Sequence, residues 1–317
     1  MSEIFELTTR PDESLFYRHS DLQDPRLGDI VHTGPEHYGS ADIVILGCPQ
    51  DEGVRRSGGR IGAADAPNAI RDQFYKLTTF NIRKKIFDAG DVAIGSTLEE
   101  THETHAQIVE HILRDGKRII VLGGGNDISY PDGVAMSEVF GPEWWIGVNL
   151  DASLDVTKAE ERNNTTQFRQ LLDEGHLKPG YFYESGYQSH FTSPFHYDYI
   201  RQLGVHRISL EILRSRAEAD LELKEQIRSK FIGHSSSLKT FFGFDMDVVR
   251  MADAPGTSNP SPLGLRAGEF IQLVKYAASL ANTKIIEFSE VNPRFDVDNR
   301  TTKLVAIGMH RFCTGVA

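Results

Sequence analysis

The chain has 317 residues, 39% of them hydrophobic, which is enough for one large α/β domain or two small ones with a sizeable core. Thirty-four Lys+Arg against 45 Asp+Glu leave a net charge of −11 at pH 7, so the attraction that phosphate backbones and anionic lipids exert on basic proteins is missing, and no nucleic-acid or membrane partner is expected. No window approaches the ~18 uninterrupted apolar residues of a spanning helix, and the start, MSEIFELTTRPDE, lacks the basic and apolar regions of a signal peptide, so a soluble, cytoplasmic protein is expected.

Residues 1–41 are polar and contain proline, and read as an irregular N-terminal arm before a single domain over 42–317. From there short apolar, β-branched runs recur at Ile43–Leu46, Arg118–Leu122, Trp145–Leu150, Tyr181–Ser185, Arg207–Leu210, Lys239–Phe244 and Lys284–Phe288. Continuous runs of this kind suit strands buried on both faces. Stretches with helical spacing lie between them: Pro67–Leu77, Glu99–Asp115, Pro131–Phe140, Phe195–Leu203, Ala217–Lys230, Ala267–Leu280 and Thr302–Phe312. The alternation predicts an α/β protein with a parallel sheet covered by helices. Cys48 and Cys313 are too few for a disulfide framework or a cysteine-ligated zinc, and read as small buried hydrophobes.

Four of the strands run into polar residues. Leu122 leads into Gly-Gly-Gly-Asn-Asp, Leu150 into Asp-Ala-Ser-Leu-Asp, Phe244 into Asp-Met-Asp, and Phe288 into Ser-Glu-Val-Asn-Pro. In an open parallel sheet the C-terminal strand ends face one crevice, so these loops should converge there. Asp151, Asp155, Asp245 and Asp247, brought within a few ångströms, cannot all remain charged without proton uptake or a bound cation. A divalent metal is the economical expectation, although each Asp could merely cap a helix or turn.

These segments resemble the ureohydrolases (arginase, agmatinase and, nearest in wording, formimidoylglutamase) from about Asp42 to Ile307. The resemblance rests on seven stretches in order: Gly47-Cys-Pro-Gln-Asp-Glu-Gly-Val-Arg-Arg-Ser-Gly-Gly-Arg-Ile-Gly-Ala, Asp88-Ala-Gly-Asp-Val, Gly123-Gly-Gly-Asn-Asp, Asp151-Ala-Ser-Leu-Asp, Phe244-Asp-Met-Asp, Ala254-Pro-Gly-Thr-Ser-Asn-Pro-Ser-Pro-Leu-Gly-Leu and Glu290-Val-Asn-Pro. It implies a three-layer α/β/α, arginase-like fold around a mostly parallel sheet, a dinuclear manganese centre at the strand ends and hydrolysis of a guanidinium or formimino carbon. Asp151, Asp155, Asp245 and Asp247 stand where the family's metal-binding aspartates stand, whereas Asn126 and Ser153 replace its two histidine ligands. The implied shell is all oxygen, from the carboxylates with the Asn126 carbonyl and Ser153 hydroxyl, which suits Mn²⁺, Mg²⁺ or Ca²⁺. Glu290 aligns with the carboxylate that receives the substrate's amidinium. Asn164-Thr-Thr-Gln-Phe replaces the turn that holds the substrate's amino-acid end in relatives.

Further candidates carry less. Arg60, with Arg55 and Arg56, either receives a substrate carboxylate or is solvated. His190 follows a predicted strand and could act as a proton shuttle, with Asp155 and Glu290 as the other catalytic candidates. His102, His105 and His111 share a helical stretch whose Glu103, Gln107 and Glu110 suggest a solvated face. Gly123–Gly125 lacks both the dinucleotide fingerprint and the P-loop lysine, and reads as a tight turn presenting Asn126. Ser153 and Ser289 lack a G-x-S-x-G elbow. Two functions follow as expectations: a formimidoylglutamase-like hydrolase of a linear amidine C–N bond, acting as a homo-oligomer on a small amidine or guanidinium substrate; or a silent relative, its metal weak or absent, that serves in binding or assembly.

Overall fold

The computed structural model describes residues 2–215, 218–231 and 238–315. Its centre is a nine-stranded sheet: β1 (Thr8–Thr9), β2 (Ile43–Gly47), β3 (Ile86–Val92), β4 (Arg118–Leu122), β5 (Trp145–Leu150), β6 (Phe182–Tyr187), β7 (His206–Ser209), β8 (Lys239–Asp245) and β9 (Thr283–Ser289). They lie in the order β1-β3-β2-β4-β9-β8-β5-β6-β7. All neighbours are parallel except β1, which pairs antiparallel with β3. Chain order is interrupted between β4 and β5, where β9 and β8 intervene. That break is the switch point at which strand-end loops part and leave a crevice.

Alternate strand residues feed two cores, as the twofold repeat of a strand requires. Ile120, Val148, Phe242 and Ile286 pack with the helices Ala66–Phe74, Ala267–Ser279 and Arg300–Thr314. Val121, Trp145, Phe241 and Ile285 pack with Leu98–Arg114, Ser129–Phe140 and Gln167–Asp173. The result is the three-layer architecture that the family resemblance implies. Among the described residues, no helix is long and apolar enough to cross a membrane.

Several local expectations are corrected. The first forty residues are not irregular: they carry a helix at Ser2–Leu7 and the strand β1, with Ile4, Leu27 and Tyr38 buried. The strand β3 was not predicted, because Asp88 and Asp91 break its apolar run. It tolerates them because Arg71, fully buried, reaches Asp88 at 2.9 Å and Asp91 at 2.5 Å. The loop after Asn164 turns into the helix Gln167–Asp173. The stretch read as a helix over 217–230 is helical from Leu221, and its first residue lies outside the described residues.

Candidate metal centre

The glycines after β4 let three strand ends meet. Gly123, Gly124 and Gly125 donate backbone hydrogen bonds to Phe288, Cys48 and Gln50. A Cβ on Gly124 would lie 1.5 Å from the Gln50 carbonyl oxygen, so only glycine permits this approach. The turn delivers Asn126 into the space between β4, β9 and the loop after β5. Two non-glycine residues here hold left-handed backbone, Asp155 at φ 44° and Glu290 at φ 59°. Such conformations persist where surrounding contacts fix them, and they concentrate at functional sites.

Asp151, Asp155 and Asp245 each offer a carboxylate oxygen within 4.8 Å of the others. All three are buried, as is Asp247. Asp151, Ser153, Asp155, Asn164, Asp245 and Asp247 line one crevice of about 380 Å³, along with Arg60 and Phe191. A groove of about 500 Å³ between the helices Ser2–Leu7 and Leu98–Arg114 is larger but holds no such cluster. Burial raises the proton affinity of every acid in the set. Asp151, Asp155 and Asp245 all rise, the last two with Asp151 adding repulsion. Asp247 is pushed up to about 7, and Glu290 to about 8 with Asp247 adding to the effect of burial.

The internal hydrogen bonds are uneven. Asp155 Oδ2 accepts from Asn126 Nδ2 at 2.8 Å and from Gln167 Nε2 at 2.6 Å, and its Oδ1 accepts from Ser153 Oγ at 2.6 Å. Asp245 and Asp247 each take one backbone donor, from Asp247 and Asn259 respectively. Glu290 Oε1 accepts from the Asn126 backbone at 2.7 Å and from Asn164 Nδ2 at 2.9 Å, while its buried Oε2 takes no hydrogen bond. Asp151 accepts from the Ser153 backbone at 2.9 Å and lies 3.3 Å from Ser153 Oγ. Asp151, Asp155 and Asp245, with Asp247 on the same wall, offer a hard, oxygen-rich donor set of the kind that suits a divalent cation.

Asn126 does not turn its carbonyl to the aspartates. Its Oδ1 accepts from Ser289 Oγ at 2.9 Å and lies 3.2 Å from Ser129 Oγ. His190 is exposed, its ring tilted by 44° against that of Phe191, and Phe191 rather than His190 takes the crevice wall, because the turn begun by Gln188 carries the imidazole outward. Arg60 lines the crevice, but its guanidinium donates to the Thr257 carbonyl and lies 3.8 Å from the centre of the Phe295 ring. Arg55 and Arg56 are held by Glu52, and Arg56 also by Glu99. Glu290 sits behind Asn164 rather than on the wall.

His102 and His105 are not solvated. They are 2% and 0% exposed and pair with Asp127 at 2.8 Å and Asp132 at 2.7 Å. Three residues apart, they share the inner face of their helix, while Glu103 and Gln107 take the outer one. Sequence reasoning also missed Gln167, Ser129 and Ser289 as partners of the centre. Ser129 was discoverable, being one turn beyond Asn126.

The sequence pattern of the Arginase family matches residues 41–313. A formimidoylglutamase of Staphylococcus carnosus (strain TM300) is 34% identical over 309 residues, covering 96% of this chain and 95% of that protein. The structure of Trypanosoma cruzi formiminoglutamase with Mn²⁺ superposes with a TM-score of 0.83 at 33% identity, over 92% of this chain and 98% of the other. The formimidoylglutamase of Bacillus subtilis shares the fold, with a TM-score of 0.85 at 24% identity over 96% of this chain and 97% of the other.

Proposed function

The chain belongs to the arginase family, and on that premise we propose that it hydrolyses the C–N bond of a small linear amidine, as a formimidoylglutamase-like enzyme with an altered, oxygen-rich metal site. The observation that carries this reading is the convergence of Asp151, Asp155 and Asp245 at the crevice that Asp247 also lines, with no ion pair to a Lys or Arg among the described residues. Mn²⁺ is the first candidate, as the Trypanosoma cruzi relative holds it. A divalent cation bound there would supply Lewis acidity and lower the pKa of a water.

The chain's own residues would do the rest. Glu290 is the planar acceptor for an amidinium, with Oε2 open and Oε1 fixed by the Asn126 backbone. Binding a cation beside it would return Glu290 to its charged form, against the burial that protonates it. Asn164, which touches both the crevice and Glu290, would orient the substrate. Asp155 would hold the proton in transit, with the Ser153 hydroxyl between it and the crevice.

Hydrolysis of N-formimino-L-glutamate, agmatine and arginine by the Mn²⁺-loaded protein tests this function. Turnover of one of them is expected, with Glu290→Gln reducing kcat/KM by ~10²-fold. Turnover undiminished by Glu290→Gln would overturn the role of that residue, and absence of turnover on every linear amidine would overturn the hydrolase. One observation favours the silent relative: Arg60 is committed to Thr257 and Phe295, which leaves the crevice wall without a free cation for a substrate carboxylate.

A further inference from the structure

We infer that the protein carries a second ligand site, for a small organic anion, in a cavity at the far end of the sheet from the acid cluster. Arg26 and Arg311, with Lys76, take the phosphate or carboxylate group of the ligand, and Leu77 and Ile307 take its apolar body. The inference stands apart from the metal-dependent reading above and holds or fails without it.

The helix Arg300–Thr314 follows β9, so it starts at the strand ends that carry the acids and runs back along the sheet. Its last turns lie at the opposite end, where Arg118, the first residue of β4, holds its guanidinium 4.1 Å from the centre of the Phe312 ring. There the helix meets the chain that leaves Ala66–Phe74 and the N-terminal arm. The arm is tied in by an antiparallel bridge between Arg26 and Thr78 and by the Leu27 amide, which donates to the Leu77 carbonyl at 2.8 Å. These three segments enclose a cavity of about 330 Å³, with Arg26 from the arm, Lys76, Leu77 and Thr78 from the second segment, and Ile307, His310 and Arg311 from the helix.

The chain has a net charge of −11, yet no acid lines this cavity. Helix C-termini attract basic residues, which accounts for Lys76 and Arg311 taken singly. It does not account for Arg26, which belongs to neither helix. Lys76 is paired with Asp72 at 2.7 Å and Arg26 with Asp24, both acids lying outside the cavity wall. Arg26 also donates from Nη1 to the Lys76 carbonyl at 3.2 Å, but its buried Nε has no hydrogen bond. A buried donor without an acceptor costs free energy that a bound acceptor would recover. Arg311 makes no ion pair and no side-chain hydrogen bond among the described residues. His310, half-buried, has its pKa lowered by burial, with Arg311 adding repulsion; neutral at pH 7, it donates from Nε2 to the Thr78 carbonyl at 3.1 Å and brings no charge. The surplus is thus one positive charge and one buried donor on the wall of the same cavity, which a single anionic group satisfies. Ile307, 40% exposed, and Leu77 give that wall an apolar part that a bare inorganic ion would leave unused. The volume is at the small end of the range for small-molecule sites.

Calorimetric titration of phenyl phosphate and of benzoate into the metal-free protein tests the site, in chelator so that the acid cluster cannot take an anion through a bound cation. Saturable binding of one molecule per chain is expected. Binding of phenyl phosphate alone would identify a phosphate ligand, and binding of benzoate alone a carboxylate. Arg311→Gln, at an exposed position, should weaken the binding about tenfold with the melting temperature unchanged. Benzyl alcohol, the same body without the charge, should not bind to the unmodified protein. No saturable binding of either anion would overturn the site, as would benzyl alcohol binding as tightly as the anions or a folded Arg311→Gln protein binding them undiminished. Inorganic phosphate bound as tightly as phenyl phosphate would overturn the role given to Leu77 and Ile307.

Discussion

Two sets of carboxylates lie in the same sheet, and among the described residues only one is closed by an ion pair. Asp88 and Asp91, in β3, close around the guanidinium of Arg71, which also donates to the Gly90 carbonyl at 2.8 Å. Tyr75 and the Gly90 backbone satisfy more of Asp88. Asp151, Asp155, Asp245 and Asp247, at the ends of β5 and β8, accept hydrogen bonds from neutral donors, with the charge of Arg60 reaching Asp247 across the crevice, and burial raises the proton affinity of all four. The contrast separates a carboxylate cluster that builds the fold from one that waits for a ligand. Both motifs look alike in sequence, two acids a few residues apart after an apolar run, and the difference lies in whether a distant arginine is folded against them.

The largest effect expected from this contrast is at Arg71. Arg71→Met strands two buried carboxylates and should cost about 3–5 kcal/mol of unfolding free energy in urea titration. A loss below about 1 kcal/mol would erase the distinction between the two sets. At the other cluster the missing charge can be supplied from solution. Mn²⁺ at ~100 times its dissociation constant should add roughly 2.7 kcal/mol, visible as a rise in melting temperature that EDTA reverses. Identical melting curves in metal and chelator would leave the second set without a ligand.

A smaller effect is expected from removing an acid there. Asp245→Asn keeps an acceptor for the Asp247 backbone and removes an acid that, buried, must either carry a charge or take up a proton, so in chelator it should stabilise the protein by on the order of 1–2 kcal/mol while abolishing the gain from Mn²⁺. Destabilisation in chelator would mean that the chain neutralises Asp245 after all. The smallest effect is with pH. Asp247 and Glu290 have folded pKa values of about 7 and about 8, above their unfolded values, so the folded state keeps protons that the unfolded chain has lost. Stability in chelator should then fall as pH rises, by about 1.4 kcal/mol between pH 7 and 8. His105, lowered to about 3 by burial, works in the opposite sense only below its unfolded pKa, outside that window. Mn²⁺ should flatten the slope, and a stability that rises with pH in chelator would contradict the protonated cluster.

The sequence carried the strand ends well, because an apolar run followed at once by an acid is both a strand boundary and a functional signal. Arg118–Leu122 and Trp145–Leu150 appear with the boundaries read from composition alone. The strand β3 was hidden because its acids depend on Arg71, 17 and 20 residues earlier, and no local pattern announces that pairing. His102 and His105 were misread for a related reason: polar neighbours suggested water, while the three-residue spacing that puts both on the inner face was the better guide. Asn126 was legible as a residue of the centre but not as a donor, since the direction of an amide is set by what lies on both sides of it, here Asp155 and Ser289. His190 failed because a turn of a few residues decides whether a side chain after a strand enters the crevice or leaves it.

The account's central claim is that burial raises the proton affinity of the crevice acids and that a bound cation reverses it. Calorimetric titration of Mn²⁺ into the metal-free protein at pH 7, in two buffers of different ionisation enthalpy, measures the protons released per ion bound. Binding with release of about one proton or more per ion is the predicted result, since a ligating carboxyl must be deprotonated. Binding heats that are the same in both buffers, or no binding at all, would contradict it.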